Sequence, residues 1–150
     1  MKINNLTYQT YKYANIGPKN VQKNIKDNKI YFGYHSVIKD LFKEDKLPSV
    51  KHGLYGDILT KDNVSLEHLI PHSYKNGKSE LCNFALASKQ KNNLRGNSDI
   101  RDFLTPEMAK KYLNQFVDIK AVSKKNKKFN GNNYIDMIKK TLKQLGIVLD

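Results

Sequence analysis

The sequence lacks a second cysteine: Cys82 is the only one among 150 residues. A single cysteine excludes an internal disulfide and a zinc site built from four cysteines, so the core has to form without either cross-link. Long apolar runs are missing too, since no stretch is long enough to cross a bilayer and Met1 to Tyr13 contain no hydrophobic signal core. We therefore expect an intracellular, cytoplasmic protein with no membrane partner, and a phage- or virus-encoded origin stays open.

Acidic residues are scarce relative to basic ones. Against 14 Asp and Glu stand 27 Lys and Arg, which gives a net charge of +13 and a sequence pI near 9.7. An excess of this size predicts a polyanionic partner, with DNA as the first candidate. Charge alone does not separate a DNA-binding protein from a basic structural protein or a membrane-surface protein. The decision therefore needs a motif whose spacing is informative.

The chain divides into three parts that together predict one compact domain. Residues 1–60 form an N-terminal flanking segment with one short helix, residues 61–104 a central unit, and residues 105–150 a basic helical C-terminal segment. The short helix lies between Tyr34 and Glu44, with Ser36 as its N-cap and an end before Pro48. Its apolar residues have helical spacing: Val37, Ile38, Leu41 and Phe42.

The central unit predicts strand, loop, strand and helix in that order. Residues 64–70 alternate in polarity until Pro71 ends the first strand, and residues 83–88 form a second strand after a loop that contains Asn76 and Gly77. Residues 89–95 are compatible with a helix that Gly96 terminates. This order predicts an α+β fold with a short antiparallel hairpin followed by a helix.

The C-terminal segment predicts two helices. Thr105 is an N-cap candidate and Pro106 suits the first helical position. The first helix would carry Met108, Tyr112, Leu113 and Phe116 on one face, and the second would span about 134–145. Between them, the lysine-rich residues 123–133 predict a solvated loop, with a segment that follows phosphates as the alternative.

Four residues of the central unit have the spacing of a known catalytic motif. Glu67 directly precedes His68, Asn83 follows His68 by 15 positions, and Asn92 follows Asn83 by nine. This pattern resembles the HNH endonuclease family, and in motif it is closest to the HNH domain of RNA-guided CRISPR nucleases. The resemblance is confined to the central unit and implies a ββα-metal core flanked by helical segments.

The resemblance also implies roles for these residues. His68 would be the general base, and Asn83 would belong to the catalytic set by bridging the loop and holding the histidine's strand. Glu67 and Asn92 would bind Mg²⁺ or Mn²⁺, for which oxygen ligands are suited. Asparagine at position 92 in place of the commoner histidine favours Mg²⁺.

The implied activity is hydrolysis of DNA phosphodiester bonds, which leaves 5′-phosphate and 3′-hydroxyl ends. The chain carries one set of these residues, so each protomer would nick one strand, either as a monomer or within a homodimer. Three basic residues near the metal-binding helix are candidates for phosphate contacts: Lys89, Lys91 and Arg95.

The residue types suit this chemistry. An imidazole with a pKa near 6.5 is mostly neutral at pH 7 and can take a proton from water. Neighbours on a regular strand point to opposite faces, so Glu67 and His68 would need a bulge or the strand's end to reach one metal ion. The other histidines, His35, His52 and His72, are expected to be structural or exposed, with help to the phosphate as the alternative for His72.

Two other classes of protein fit parts of the pattern. One is a non-catalytic nucleic-acid-binding module on an HNH scaffold. It is disfavoured because loss of function usually removes the base or a metal ligand first, and both are present. The other is a basic ribosome-like or architectural protein, for which the spacing of His68, Asn83 and Asn92 would be accidental.

Overall fold

The computed structural model describes residues 37–150, so the predictions for Ser36 and His35 lie outside the described residues. It has a mixed α+β architecture, which confirms the predicted class at that level. The helices are α1 (Val37–Lys43), α2 (Lys89–Arg95), α3 (Pro106–Asn114) and α4 (Gly131–Gln144). The strands are β1 (Val64–His68), β2 (Phe84–Ser88), β3 (Lys120–Val122) and β4 (Lys128–Asn130), and they form two separate antiparallel pairs.

The first hairpin pairs β1 with β2 from Val64 opposite Ser88 to His68 opposite Phe84. We predicted that β1 would run on to residue 70, but it ends at His68. The backbone N–H of Leu69 still donates to the carbonyl of Asn83 at 3.0 Å, whereas Ile70 bonds to the Asn83 side chain instead of a strand. The strand therefore stops where an asparagine side chain replaces the backbone ladder.

Helix α2 has the predicted bounds. Ser88 caps its N-terminus by accepting a hydrogen bond from the backbone N–H of Lys91 at 3.2 Å. Gly96 ends the helix with a φ of 53°, a left-handed conformation that glycine adopts without steric cost. The helix contacts both β1 and β2, so the three elements form a strand–strand–helix unit.

The outer edge of β2, on the side away from β1, is covered by tyrosines from two helices. The backbone N–H of Leu86 donates to the hydroxyl of Tyr112 at 2.8 Å, and the hydroxyl of Tyr134 donates to the carbonyl of Phe84 at 2.8 Å. The two hydroxyls lie 2.9 Å apart. Burial raises the pKa of both tyrosines, so they stay neutral and keep their protons for these bonds.

The segment before β1 covers the rest of that edge. The backbone N–H of Leu54 donates to the carbonyl of Leu86 at 2.8 Å, and the Asp57 carboxylate accepts from the N–H of Ser88. The backbone N–H of Gly56 donates to the carbonyl of Gly53 at 3.0 Å, which closes a tight turn between these glycines. The outward backbone groups of β2 therefore have partners although the sheet has only two strands.

The loop predicted over residues 123–133 is confined to residues 123–127. The remainder is wrong as a loop, because β4 pairs there with the preceding β3, and the Phe129 side chain of β4 is buried. Helix α4 begins at Gly131, earlier than predicted, because Asn130 caps it by accepting from the N–H of Asn133 at 3.1 Å. In the two strands only Ala121 and Phe129 face inward, so the lysine-rich sequence shows no clear alternation of apolar and polar residues.

One hydrophobic cluster runs through the described residues from α1 to Ile147. It includes the apolar face of α1 and, from α3, Tyr112 and Leu113. Phe116, which was predicted to lie on the same helix, is buried in the cluster but follows the end of α3 at Asn114. Over residues 37–150, no helix has the length and apolar character that crossing a membrane requires.

Candidate active site

An open cleft lies where β1 ends against α2. We call it the His68 cleft, and its polar lining consists of Glu67, His68, His72, Asn92, Asn93 and Asn97. The cleft brings together three residues that the sequence separates by up to 25 positions: Glu67, His68 and Asn92. The strand–strand–helix unit therefore places the predicted base beside one predicted metal ligand.

His68 is the last residue of β1 and is half-buried. Its ring packs edge-on against Phe84, with centroids 4.5 Å apart, and against His72 at 5.7 Å. Phe84 lies opposite His68 in the hairpin, so the strand register brings the two rings together. His72, which we expected to be structural or exposed, is exposed and also borders the cleft.

The Glu67 carboxylate points into the protein interior and is 2% exposed. Oε1 forms a buried ion pair with Arg95, and Oε2 makes no hydrogen bond to any residue in 37–150. The hydroxyl of Tyr55 is its electrostatic neighbour, and the Glu67 charge adds to the burial that raises the pKa of Tyr55. Burial raises the pKa of Glu67 as well, against the opposing charge of Arg95.

The nitrogen and the oxygen of the Asn92 amide have different surroundings. Nδ2 donates to Ser65 Oγ at 3.1 Å and to the carbonyl of Leu66 at 2.8 Å, both on β1. Within the described part of the chain Oδ1 has no hydrogen-bond partner, and the residue lines the His68 cleft. The helix thus presents one fixed oxygen donor, whereas the neighbouring Asn93 is exposed.

Asn83 is buried and joins both ends of the loop between β1 and β2. Its Oδ1 accepts from the N–H of Ile70 at 2.8 Å, and Nδ2 donates to the carbonyls of Ile70 and Lys78 at 3.0 and 2.9 Å. These bonds hold the chain that leaves His68. Asn83 does not line the cleft, so its contribution to the site is structural.

The prediction that Arg95 contacts phosphates is corrected by its burial, because its side chain is 1% exposed. Besides the ion pair with Glu67, the guanidinium donates to the carbonyls of His68, Leu69 and Ser98 at 2.6, 3.1 and 3.1 Å. A group enclosed by four protein acceptors is not available to DNA.

Lys89 and Lys91, the other two predicted phosphate contacts, are exposed on α2. Among residues 37–150, neither makes a salt bridge with an acidic side chain. Both side chains therefore face solvent on the helix that also lines the His68 cleft through Asn92 and Asn93.

The donor set fits a divalent cation only in part. Within residues 37–150, no group of three or more His, Cys, Asp or Glu side chains could hold a metal ion. Asn92 Oδ1 fits the predicted role, but Glu67 does not, since one oxygen is paired with Arg95 and the side chain is buried. The second oxygen, Oε2, makes no hydrogen bond within residues 37–150 but is buried, so it would have to become exposed to the cleft before it could bind a cation. We therefore derive no reaction step through a metal ion.

Two residues of this region escaped sequence reasoning. Tyr55 and Ser65 bond to or neighbour the predicted residues, but neither belongs to a motif with recognisable spacing. The alternation of β1 places Ser65 on the same face as Glu67, and this was the one sequence feature that could have indicated that Ser65 lies near the site.

No family model matches the chain, and neither curated proteins nor solved structures give a match. The geometry of the His68 cleft and the charge of the chain are therefore the observations that bear on function.

Proposed function

We propose that the chain is an HNH-type endonuclease that hydrolyses phosphodiester bonds of DNA, with a ββα-metal unit in residues 61–104. One observation carries the proposal: the strand–strand–helix unit brings His68 and Asn92, whose Oδ1 accepts no hydrogen bond within residues 37–150, to one open cleft. The His68 ring packs against Phe84 and its Nε2 is buried, so a ring nitrogen has to become exposed to the cleft before it can contact a water molecule there.

The reaction requires an activated water. Neutral His68 takes a proton from it, and the water oxygen forms a bond to phosphorus. The bond from phosphorus to the 3′-oxygen breaks, and that oxygen takes up a proton from solvent. The products carry a 5′-phosphate and a 3′-hydroxyl.

A divalent cation, Mg²⁺ or Mn²⁺, belongs to the proposal through the resemblance and through Asn92. Such an ion supplies positive charge to the phosphate as it is attacked. Asn92 Oδ1 is the oxygen that this structure offers to it.

The substrate class follows from charge. The net charge of +13 favours a polyanion, and the exposed Lys89 and Lys91 lie on the helix that forms one wall of the cleft. DNA bound along α2 would bring a phosphate near His68.

A nicking assay on supercoiled plasmid, with Mg²⁺ or with EDTA, tests the proposal. We expect cleavage only with the metal, and a loss of roughly 10² to 10⁴-fold in rate for His68→Ala, which is the range of a general base. His52→Ala is the matched control, because His52 is an exposed histidine outside the cleft. Wild-type activity in folded His68→Ala would contradict the assignment.

A non-catalytic nucleic-acid-binding module is the second candidate. The buried pair of Glu67 with Arg95 favours it, because the pair withdraws one predicted ligand from the cleft. Tight, salt-sensitive DNA binding without cleavage under any divalent metal would support this candidate and reject the nuclease.

A further inference from the structure

Arg95 connects the end of α2 to the end of β1. Its Nη1 donates to Glu67 Oε1 and to the carbonyl of His68, its Nη2 to the carbonyl of Leu69, and its Nε to the carbonyl of Ser98. Three consecutive residues of the strand end, 67 to 69, are therefore bound by one guanidinium. Ser98, on the other side, belongs to the turn after α2.

Two side-chain bonds give β1 hydrogen-bond partners that β2 does not supply. The carbonyls of Leu66 and His68 face away from β2, so the hairpin ladder leaves them without partners. Asn92 Nδ2 binds the first and Arg95 binds the second. Side chains of α2 thus replace a third strand along the outer edge of β1, and Arg95 does so at the catalytic histidine itself.

We propose that Arg95 is a positioning residue for His68: by binding the carbonyls of residues 68 and 69 and the Glu67 carboxylate, it fixes the backbone from which the imidazole projects. The role requires no contact with DNA. The proposal rests on the proposed nuclease function for its kinetic consequences, but its structural consequence can be measured without cleavage.

Arginine is specific for this position. Three nitrogens, Nε, Nη1 and Nη2, donate the four hydrogen bonds, and the bonds point in different directions. The planar guanidinium holds these donors in a fixed geometry. A lysine ammonium keeps the charge next to Glu67 but is a compact point donor, so it cannot reach all four acceptors together. Arg95→Lys therefore separates charge from geometry.

The test compares four variants of the full chain. Arg95→Lys retains the charge, and the double variant Glu67→Gln with Arg95→Met removes both members of the buried ion pair, so that neither charge is left buried alone. Arg101→Lys is the matched control, since Arg101 is the chain's other arginine and its side chain pairs with Asp99 away from the cleft. Lys91→Met, on the exposed face of α2, shows what loss of a phosphate contact looks like.

For Arg95→Lys and for the double variant we expect kcat on plasmid DNA to fall about 10 to 100-fold, the cost of displacing a reacting group by about 1 Å. The Kd for DNA and the slope of log Kd against log salt should stay at wild-type values. Lys91→Met should reduce that slope by about 0.9, and Arg101→Lys should retain wild-type kcat.

A readout independent of cleavage is the NMR spectrum of the histidine rings. The ring signals of His68, assigned by their loss in His68→Ala, should move in Arg95→Lys and in the double variant, while those of exposed His52 should not. If wild-type protein cleaves nothing but these signals move, the nuclease proposal fails and the positioning role stands. Unmoved His68 signals with unchanged kcat, or a reduced salt slope in Arg95→Lys, would overturn the positioning role.

Discussion

The amide of Asn92 gives the first residue-scale prediction. Its Nδ2 is held by β1, Oδ1 accepts no hydrogen bond within residues 37–150, and the residue lines the cleft, whereas the neighbouring Asn93 is exposed on the same helix. We expect Asn92→Ala to raise the Mn²⁺ concentration needed for half-maximal cleavage by about tenfold or more, the range seen when groups that orient a metal site are lost. Asn93→Ala should leave that concentration close to the wild-type value.

Titrating cleavage rate against Mn²⁺ for the two variants decides between them. A larger defect in Asn93→Ala would show that the ligand lies one position later on α2. The spacing of nine residues from Asn83, on which the choice of Asn92 depends, would then be wrong.

Asn83 gives a prediction about stability. Its replacement by alanine would leave the N–H of Ile70 and the carbonyls of Ile70 and Lys78 without their hydrogen bonds. A buried polar group that loses its partner costs about 1–3 kcal/mol, so we expect Asn83→Ala to lower the free energy of unfolding by at least about 2 kcal/mol.

Urea denaturation followed by circular dichroism measures this loss. Asn93→Ala is again the control, because an exposed asparagine in a helix can be replaced by alanine at little cost. Equal stability of the two variants would mean that the loop holds its shape without Asn83.

At the scale of elements, the junction of β4 and α4 depends on one glycine. A Cβ at Gly131 would lie 1.9 Å from the carbonyl oxygen of Phe116, which no backbone adjustment of a few tenths of an ångström relieves. We expect Gly131→Ala to destabilise the protein by about 3 kcal/mol or more, in the range of severe core defects.

Gly146 is the matched comparison. Its φ of +81° is left-handed, but a Cβ there would meet no atom within 4 Å, so Gly146→Ala should cost only about 1 kcal/mol of backbone strain. Thermal unfolding of both variants measures the difference. If the two lost stability equally, the close approach at Gly131 would not be a feature of the folded protein.

The elements differ in how well the sequence predicts them. Helices α1 and α2 and strand β2 were predictable because apolar spacing, polar alternation and a helix terminator such as Gly96 are local signals. The β3–β4 hairpin was not, because exposed lysines surround its two inward residues. A short strand of this kind is recognisable only from what packs beneath it.

The residues of the candidate site also differ in how well the sequence predicts them. Motif spacing predicted that Glu67, His68 and Asn92 lie close together, and strand alternation indicated that Glu67 and His68 point to opposite faces. Neither signal predicted that Arg95 is buried and pairs with Glu67. Three of the acceptors around Arg95 are backbone carbonyls, which every residue has, so no residue type in the sequence marks them.

At the scale of the whole molecule, one chain holds one His68 cleft and a large positive charge. A single site aligns one phosphate for attack at a time, so we expect supercoiled plasmid to pass through an open-circular form before linear DNA appears. Binding should weaken steeply with salt, because each phosphate neutralised contributes roughly −0.9 to the slope of log K against log salt.

Gel electrophoresis of a time course at low protein concentration makes the measurement. Linear DNA that accumulates from the start, at a rate independent of protein concentration, would indicate a preassembled dimer that cuts both strands. A salt slope near zero would mean that the charge of +13 does not act through phosphates.

The tyrosine hydroxyls on β2 have a consequence for how the protein behaves when concentrated. A two-stranded ribbon normally presents open backbone groups on which the strand of another molecule can assemble, and such edges start aggregation. Here Tyr112 and Tyr134 occupy one edge, and Asn92 and Arg95 occupy the opposite edge. Strand addition to the β1–β2 hairpin is thereby blocked on both sides, so we expect a second copy of the chain to leave this hairpin intact.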